Sequence, residues 1–184
     1  MCLAALASCG NRAPKSELQK KVDAYAVFQI GSPYMEGISD NGKEVLNLFR
    51  KAADEADNIF WQQTFGDKNA ILSLPDGAAK DLALINYGPW DRMDNNAPFI
   101  EGYGERPAGA NFYPADMTKE EFDALEDPAK FSPYTLIRRG EDGKLKVVWY
   151  HEAYKESIDK ICGYLESAAT MTIKESVRNY LLKR

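Results

Sequence analysis

The sequence contains few of the side chains that most often hold metals or work as nucleophile–base pairs. Its 184 residues include one histidine, His151, and three cysteines, Cys2, Cys9 and Cys162. A zinc site built from histidine and cysteine needs several such ligands close together, and a Ser-His-Asp or Cys-His site would have to use His151. The sequence therefore predicts no catalytic residue and no metal ligand in this chain.

The pair His151-Glu152 begins like the zinc-peptidase motif His-Glu-x-x-His, in which the histidines bind the metal and the glutamate acts as a base. The position of the second histidine is Lys155, or Glu156 in the variant with one more residue. The motif is therefore absent, and we expect His151 to be structural, at a junction between a strand and a helix. The sequence also lacks a phosphate-binding Gly-x-x-x-x-Gly-Lys-Ser/Thr loop and a Gly-x-Ser-x-Gly elbow.

The best candidate for a binding surface is the segment 85–92, with the sequence Ile-Asn-Tyr-Gly-Pro-Trp-Asp-Arg. Tyr87 and Trp90 carry flat amphipathic rings against which a peptide or a sugar could lie, and Asp91 and Arg92 could pair. These four residues are the predicted substrate-binding set. The alternative is a loop that packs against its own domain with Trp90 in the core, and from the sequence alone we favour this alternative.

The elements that must position this segment are mostly helical. Apolar residues recur at helical spacing after Ser39 or Asp40, which predicts a long helix running to about Phe65. Gly66 suits the C-terminal end of such a helix. A second helix is predicted over 78–85.

The rest of the chain predicts loops, a hairpin and further helices. Residues 86–114 are rich in glycine, proline and asparagine, which indicates a long ordered loop region. The strings Thr118–Glu121 and Thr172–Glu175 each predict a capping box that opens a helix. The other predicted elements are a helix over 16–22, a short apolar strand over 25–30, hairpin strands over 134–139 and 144–150, and a helix over 152–169. The predicted fold class is α+β, with helices around a small antiparallel or barrel-like sheet.

The N-terminus predicts a lipid anchor. The string Leu6-Ala7-Ser8-Cys9 resembles the lipobox of bacterial lipoproteins, in which the cysteine is lipidated and becomes the first mature residue. No lysine or arginine precedes it, so a frayed apolar terminus is the alternative. We expect 1–9 to be a signal remnant, 10–22 a linker with a first helix, and 23–184 the body of the protein. The predicted location is the cell envelope, on a membrane without spanning it, and a cytoplasmic location stays open.

The composition excludes several classes of protein. Apolar residues make up 45% of the chain and charged residues 28%, which rules out a disordered tail and a multi-span membrane protein. A net charge of −5 leaves no basic surplus for a phosphate backbone, so no nucleic-acid partner is expected. If Cys9 is lipidated, Cys162 is the one cysteine left, and we expect it to pack as a small apolar side chain on a helix face.

Three longer strings resemble a known family. The segments 57–66, 85–92 and 107–117, rich in Trp, Pro, Gly and Asn, look like signatures of bacterial dipeptidyl peptidase III-like proteins. The resemblance runs from about Asp23 to the end of the chain. Relatives of this kind are common among envelope lipoproteins of Bacteroidetes-like bacteria, in agreement with the predicted lipidation of Cys9.

The resemblance implies a two-lobed zinc exopeptidase, an aminopeptidase-type hydrolase that removes dipeptides from peptide N-termini. In that family the zinc motif, His-Glu-x-x-Gly-His with a downstream glutamate, lies in the mostly helical lobe, and it does not occur in these 184 residues. The chain is therefore expected to be a fragment, the N-terminal part of one lobe. It would contribute scaffold and a cleft wall but no zinc ligand, and would be inactive by itself.

The partners implied are the peptide substrate and the missing C-terminal catalytic lobe. The last predicted helix is still running at Arg184, which favours more protein beyond it. An apolar surface where that lobe would dock is also expected. Two rivals remain: an envelope-anchored peptide or glycan binding module without catalysis, and a structural remnant.

Overall fold

The structure is a computed structural model that describes residues 14–28, 31 and 33–183. The predicted signal remnant and the lipidation site Cys9 lie outside the described residues. The helices are α1 Glu17–Asp23, α2 Asp40–Thr64, α3 Lys68–Leu72, α4 Ala78–Asn86, α5 Lys119–Ala124, α6 Tyr150–Ala153, α7 Lys155–Met171 and α8 Glu175–Leu181, with 3-10 turns at Pro33–Gly37 and Pro128–Phe131. The strands are β1 Trp90–Asp91, β2 Ala97–Pro98, β3 Thr135–Arg139 and β4 Leu145–Trp149.

Helix α2 is the long helix that the apolar spacing predicts. The Ser39 hydroxyl accepts a hydrogen bond from the Gly42 N–H at 3.2 Å and caps its start. At its end the Gly66 N–H donates to the Trp61 carbonyl at 2.9 Å. Gly66 has a φ of 104°. Residues with a Cβ rarely adopt this conformation, so glycine at this position favours the end of the helix.

The two halves of α2 are buried in different cores. In its first half, Val45 packs with Ala168 and Ala169 of α7 and with Leu181 of α8. The small alanine side chains allow α2 and α7 to approach closely. In its second half, Trp61 packs with buried side chains of α3 and α4, so α2 connects the helical pair to the part of the chain that carries segment 85–92.

The sheets are two separate antiparallel hairpins. Strands β1 and β2 form one, and β3 and β4 form the other, with Leu136 opposite Val148 across the predicted turn at 140–143. The Ile137 N–H donates to the Phe112 carbonyl at 3.0 Å, which ties the second hairpin to the loop region. The predicted α+β class is confirmed, and the sheet of the described residues forms no closed barrel.

Two features of the C-terminal helices differ from the prediction. The capping box at Thr118 and Glu121 is present. The one predicted at Thr172 is not, because the Thr172 hydroxyl accepts from the Lys174 N–H and α8 begins at Glu175, two residues later than that box requires. The helix predicted over 152–169 is interrupted at Tyr154, which separates α6 from α7.

Two predictions of apolar packing were wrong. Cys162 is exposed rather than packed. At about 100° per residue, it lies about 120° to 140° around α7 from the buried residues Ser157 and Ala168. The described part of the predicted strand over 25–30 is an exposed irregular segment in which Val27 and Phe28 face solvent.

No helix of the described residues is both long and apolar enough to cross a membrane.

Helix α1 is fixed to the end of β1 by a partly buried ion pair. The Lys21 ammonium donates to Asp91 Oδ2 at 2.7 Å and to Asp94 Oδ2 at 2.8 Å. Its hydrogen bonds to Asp91 first and Asp94 second hold the pKa of Lys21 above its ordinary value. Asp91 is only 3% exposed, so the ammonium of Lys21 offsets the cost of burying the Asp91 carboxylate.

We predict that Lys21→Met lowers the free energy of unfolding by about 1–2 kcal/mol, because it leaves the buried Asp91 carboxylate with less compensation. This loss of stability is smaller than the loss expected on breaking a fully buried ion pair, since the Lys21 ammonium is partly solvated. Urea unfolding followed by circular dichroism measures it. The matched control is Lys20→Met on the same helix, whose exposed pair with Glu17 should contribute less than about 0.5 kcal/mol. Equal losses in the two variants would contradict the role of the pair.

Candidate functional site

The segment 85–92 turns sharply where α4 ends. Tyr87 adopts the left-handed conformation with a φ of 56°, and Gly88 follows with a φ of 150°. A Cβ at Gly88 would lie 3.3 Å from Phe65 Cβ, so the close approach to α2 requires glycine. This turn places Tyr87 and Trp90 against the C-terminal half of α2.

Tyr87 is held by α2 through its hydroxyl and its ring. The hydroxyl donates to Asp57 Oδ1 at 2.6 Å, and the ring centroid lies 4.7 Å from Phe60 and 4.9 Å from Trp61. The hydrogen bond to Asp57, followed by burial, raises the pKa of Tyr87 above its ordinary value. Asp57 also pairs with the Lys68 ammonium at 3.1 Å, so one carboxylate joins α2, α3 and α4.

Trp90 packs against its own domain and is half-buried. Its indole N–H donates to the Gly104 carbonyl at 2.9 Å. Its ring lies edge to face with Phe65 at 5.6 Å and with Tyr103 at 6.4 Å. These contacts give the ring a fixed orientation, which a recognition surface also needs.

Asp91 and Arg92 do not pair with each other. Asp91 pairs with Lys21 and accepts from the Met93 N–H, whereas Arg92 Nη2 donates to the Ile85 carbonyl at 2.8 Å. Asp91 ends β1 and is buried, whereas Arg92 begins the turn that follows and is exposed. Asp91 therefore faces the buried side of the turn and Arg92 the exposed side.

Three of the four predicted residues, Tyr87, Trp90 and Arg92, line one cavity of about 230 Å³, which we call the Trp90 cavity. Asn96 and Arg106 also line it, and Arg106 Nη1 donates to Asn96 Oδ1 at 3.3 Å. Neither Arg92 nor Arg106 forms an ion pair with a carboxylate of the described residues. The Trp90 cavity is therefore amphipathic, with aromatic rings on one side and two cationic groups beside them.

Backbone strain is concentrated at this cavity. Four residues other than glycine have a left-handed φ in the described part of the chain, and three of them, Tyr87, Asn96 and Ala110, line the Trp90 cavity. Such conformations cost about 1–3 kcal/mol each and cluster at ligand sites. Sequence reasoning missed Asn96, Arg106 and Ala110 as lining residues. The available signal was the glycine, proline and asparagine content of the loop region.

The described residues do not fit a zinc site. They contain no group of three or more His, Cys, Asp or Glu side chains placed to hold a metal ion. His151 stacks on Trp149 at the junction of β4 and α6, with a centroid distance of 6.3 Å, and its side chain is exposed.

Comparison with known proteins identifies the fold. No protein-family model matches the chain. DPP III from Caldithrix abyssi superposes on 90% of the chain with a TM-score of 0.81 and 32% sequence identity. Dipeptidyl-peptidase III from Corallococcus sp. strain EGB superposes on 91% with a TM-score of 0.80 and 28% identity. The chain is similar to part of bacterial dipeptidyl peptidase III.

The similarity covers only a fraction of each relative. The chain spans 34% of both solved dipeptidyl peptidase III chains. Among curated proteins, Nudix hydrolase 3 of Arabidopsis thaliana is 22% identical over 89% of this chain and 29% of its own length. The resemblance to dipeptidyl peptidase III that the sequence indicates is thus confirmed, and the mixed fold matches a partial lobe of that protein.

We predict that Asp57→Asn lowers the pKa of Tyr87, because it removes the anionic acceptor that most strongly favours the protonated phenol. A ¹³Cζ NMR titration of the tyrosines measures this shift. Since the folded pKa lies above the unfolded one, the stabilisation from this bond is complete below about pH 10 and is lost as the pH rises further. Asp54→Asn on the same helix, whose partner is Arg50, is the control and should leave the Tyr87 titration unchanged. An unshifted Tyr87 in Asp57→Asn would contradict the assignment.

Proposed function

We propose that this chain is a non-catalytic N-terminal part of a zinc-dependent dipeptidyl peptidase that releases dipeptides from peptide N-termini. The observation that carries the proposal is the similarity in fold to one third of two dipeptidyl peptidase III structures. The chain would supply scaffold and one wall of the substrate cleft. Peptide-bond hydrolysis itself is assigned to residues outside it, because the described residues offer no metal site.

The Trp90 cavity is the proposed contact with substrate. Tyr87 and Trp90 would present aromatic faces to a peptide, and Arg92 would donate hydrogen bonds to a carbonyl or carboxylate oxygen. Asp91 would act indirectly, since its pair with Lys21 fixes the turn that carries the other three. The rigid packing of Tyr87 and Trp90 on α2 supports this role, because a preorganised wall loses little freedom on binding.

An exposed aromatic surface supports the proposed partner, the C-terminal catalytic lobe. Phe131, Tyr134 and Trp149 are 74%, 66% and 40% exposed. The Tyr150 N–H donates to the Tyr134 carbonyl, which places Tyr134 beside the end of β4. Large exposed apolar side chains in one region mark interaction surfaces, and the missing lobe is the partner that we assign to this one.

The alternative function is an envelope-anchored peptide or glycan binding module without catalysis. The observation that favours it is the Trp90 cavity itself, which is built entirely from this chain. Lipidation at Cys9 and a location in the cell envelope are predictions common to both functions.

We predict that the 184-residue chain does not hydrolyse a dipeptidyl-arylamide substrate in the presence of added zinc. The matched comparison is the product of the same gene read beyond Arg184. An open frame that encodes His-Glu-x-x-Gly-His, with chelator-sensitive release of the arylamine, supports the proposal. Chelator-sensitive turnover by the 184 residues alone would refute it. A stop codon at this point, with peptide or oligosaccharide binding detected by calorimetry, would favour the binding module.

We predict that Arg92→Gln in the longer, active protein raises KM for a peptide substrate about tenfold and changes kcat little, since Arg92 would bind substrate without touching the reacting atoms. Steady-state kinetics measure both constants. Arg50→Gln, an exposed arginine of α2 outside the cavity, is the control and should leave KM unchanged. An unchanged KM in Arg92→Gln would contradict the proposal that the Trp90 cavity binds substrate. It would leave the similarity in fold unaffected.

A further inference from the structure

Arg138 in β3 is a half-buried guanidinium without a carboxylate partner in the described part of the chain. Its Nη1 donates to the carbonyls of Phe112 at 3.1 Å and Ile137 at 2.8 Å, and its Nη2 donates to the carbonyl of Asn111 at 2.9 Å. The neighbouring Arg139 differs, since it pairs with Asp116 and Glu121. Within the described part of the chain, the guanidinium of Arg138 therefore donates to neutral main-chain oxygens and to no carboxylate.

The bonds of Arg138 leave a specific set of donors open. Nη1 donates to two carbonyls and Nη2 to one, and Nε–H has no partner among the described residues. Nε–H and Nη2–H lie along one edge of the planar guanidinium, and this edge can match the two oxygens of a carboxylate.

Tyr154, at the break between α6 and α7, is the second unusual group. It is 5% exposed, and its buried hydroxyl has no hydrogen-bond partner among the residues that the structure describes. Burial raises the pKa of Tyr154, and the nearby Gln63 amide lowers it by a smaller amount. This amide does not reach hydrogen-bond geometry with the Tyr154 hydroxyl. A buried tyrosine hydroxyl usually finds a partner, so this one is available to an acceptor from outside the described residues.

Arg138 and Tyr154 line the same cavity, of about 320 Å³, which we call the Arg138 cavity. It lies between the end of α2, which contributes Gln62, and the β3–β4 hairpin. None of its lining residues is acidic. The positive charge of Arg138 also opposes the rise in the pKa of Tyr154, as expected for neighbouring groups.

We propose that the Arg138 cavity binds a carboxylate group, whose oxygens accept hydrogen bonds from Arg138 Nε–H, Arg138 Nη2–H and the Tyr154 hydroxyl. A carboxylate meets both needs at once, because it brings the missing counter-charge and the missing acceptor. The group comes either from the C-terminus of a peptide or from an Asp or Glu side chain of another polypeptide segment. The proposal rests on Arg138 and Tyr154, which do not line the Trp90 cavity, and it does not depend on the proposed peptidase function.

The test is an NMR titration of the ¹⁵N-labelled 184-residue chain with sodium acetate, with ionic strength held constant by sodium chloride. We expect the Nε–H signal of Arg138 to move in a saturable way and that of Arg139 to stay in place. Tyr154→Phe should weaken acetate binding about tenfold and should fold, since it removes a hydroxyl that has no partner. Tyr150→Phe, a neighbouring tyrosine that does not line the cavity, is the matched control and should bind acetate like the wild type.

Peptides then distinguish the two sources of the carboxylate. A shift of Arg138 Nε–H with Ala-Ala-Ala, but not with Ala-Ala-Ala-amide, assigns a peptide C-terminus. A shift with acetyl-Ala-Glu-Ala-amide alone assigns a side chain. The proposal is overturned if neither acetate nor any of these peptides moves the Arg138 signal in the wild type, or if folded Tyr154→Phe binds acetate as tightly as the wild type.

Discussion

The structure depends on the burial of α2 at both of its ends. Its first half packs through Val45 on the alanines of α7, and its second half packs through Trp61 on α3 and α4. Because one rigid helix belongs to both cores, the turn after α4 has a fixed position relative to α7 and α8. The carboxylate of Asp57 strengthens this arrangement, since it binds Lys68 of α3 and Tyr87, the residue that follows α4.

This arrangement explains how a loop region with little regular structure can form defined cavities. The residues after α4 are held by side-chain bonds to main-chain carbonyls, such as Trp90 to Gly104 and Arg138 to Asn111. Such bonds satisfy backbone groups that no sheet or helix would pair. They also allow left-handed residues to persist at the Trp90 cavity, because surrounding contacts fix each strained conformation.

Much of the fold could be predicted from local sequence signals. The cap at Ser39, the end of α2 at Gly66, the capping box at Thr118 and the hairpin turn at 140–143 all depend on residues within a few positions of each other. The prediction failed at Thr172, where the hydroxyl accepts a local hydrogen bond from the Lys174 N–H and the helix begins later. It also failed for Cys162, where helical periodicity gave the wrong face of α7.

The sequence by itself determined the helical elements, the hairpin, the absence of the zinc motif and the resemblance to dipeptidyl peptidase III, because each is encoded in a short continuous string. Only the tertiary structure decided which charges find partners. Asp91 pairs with Lys21 from a distant helix instead of with Arg92, and Arg138 and Tyr154 meet in one cavity without a carboxylate. Pairings of this kind depend on distances between residues far apart in the chain, and these distances are set by how the helices pack.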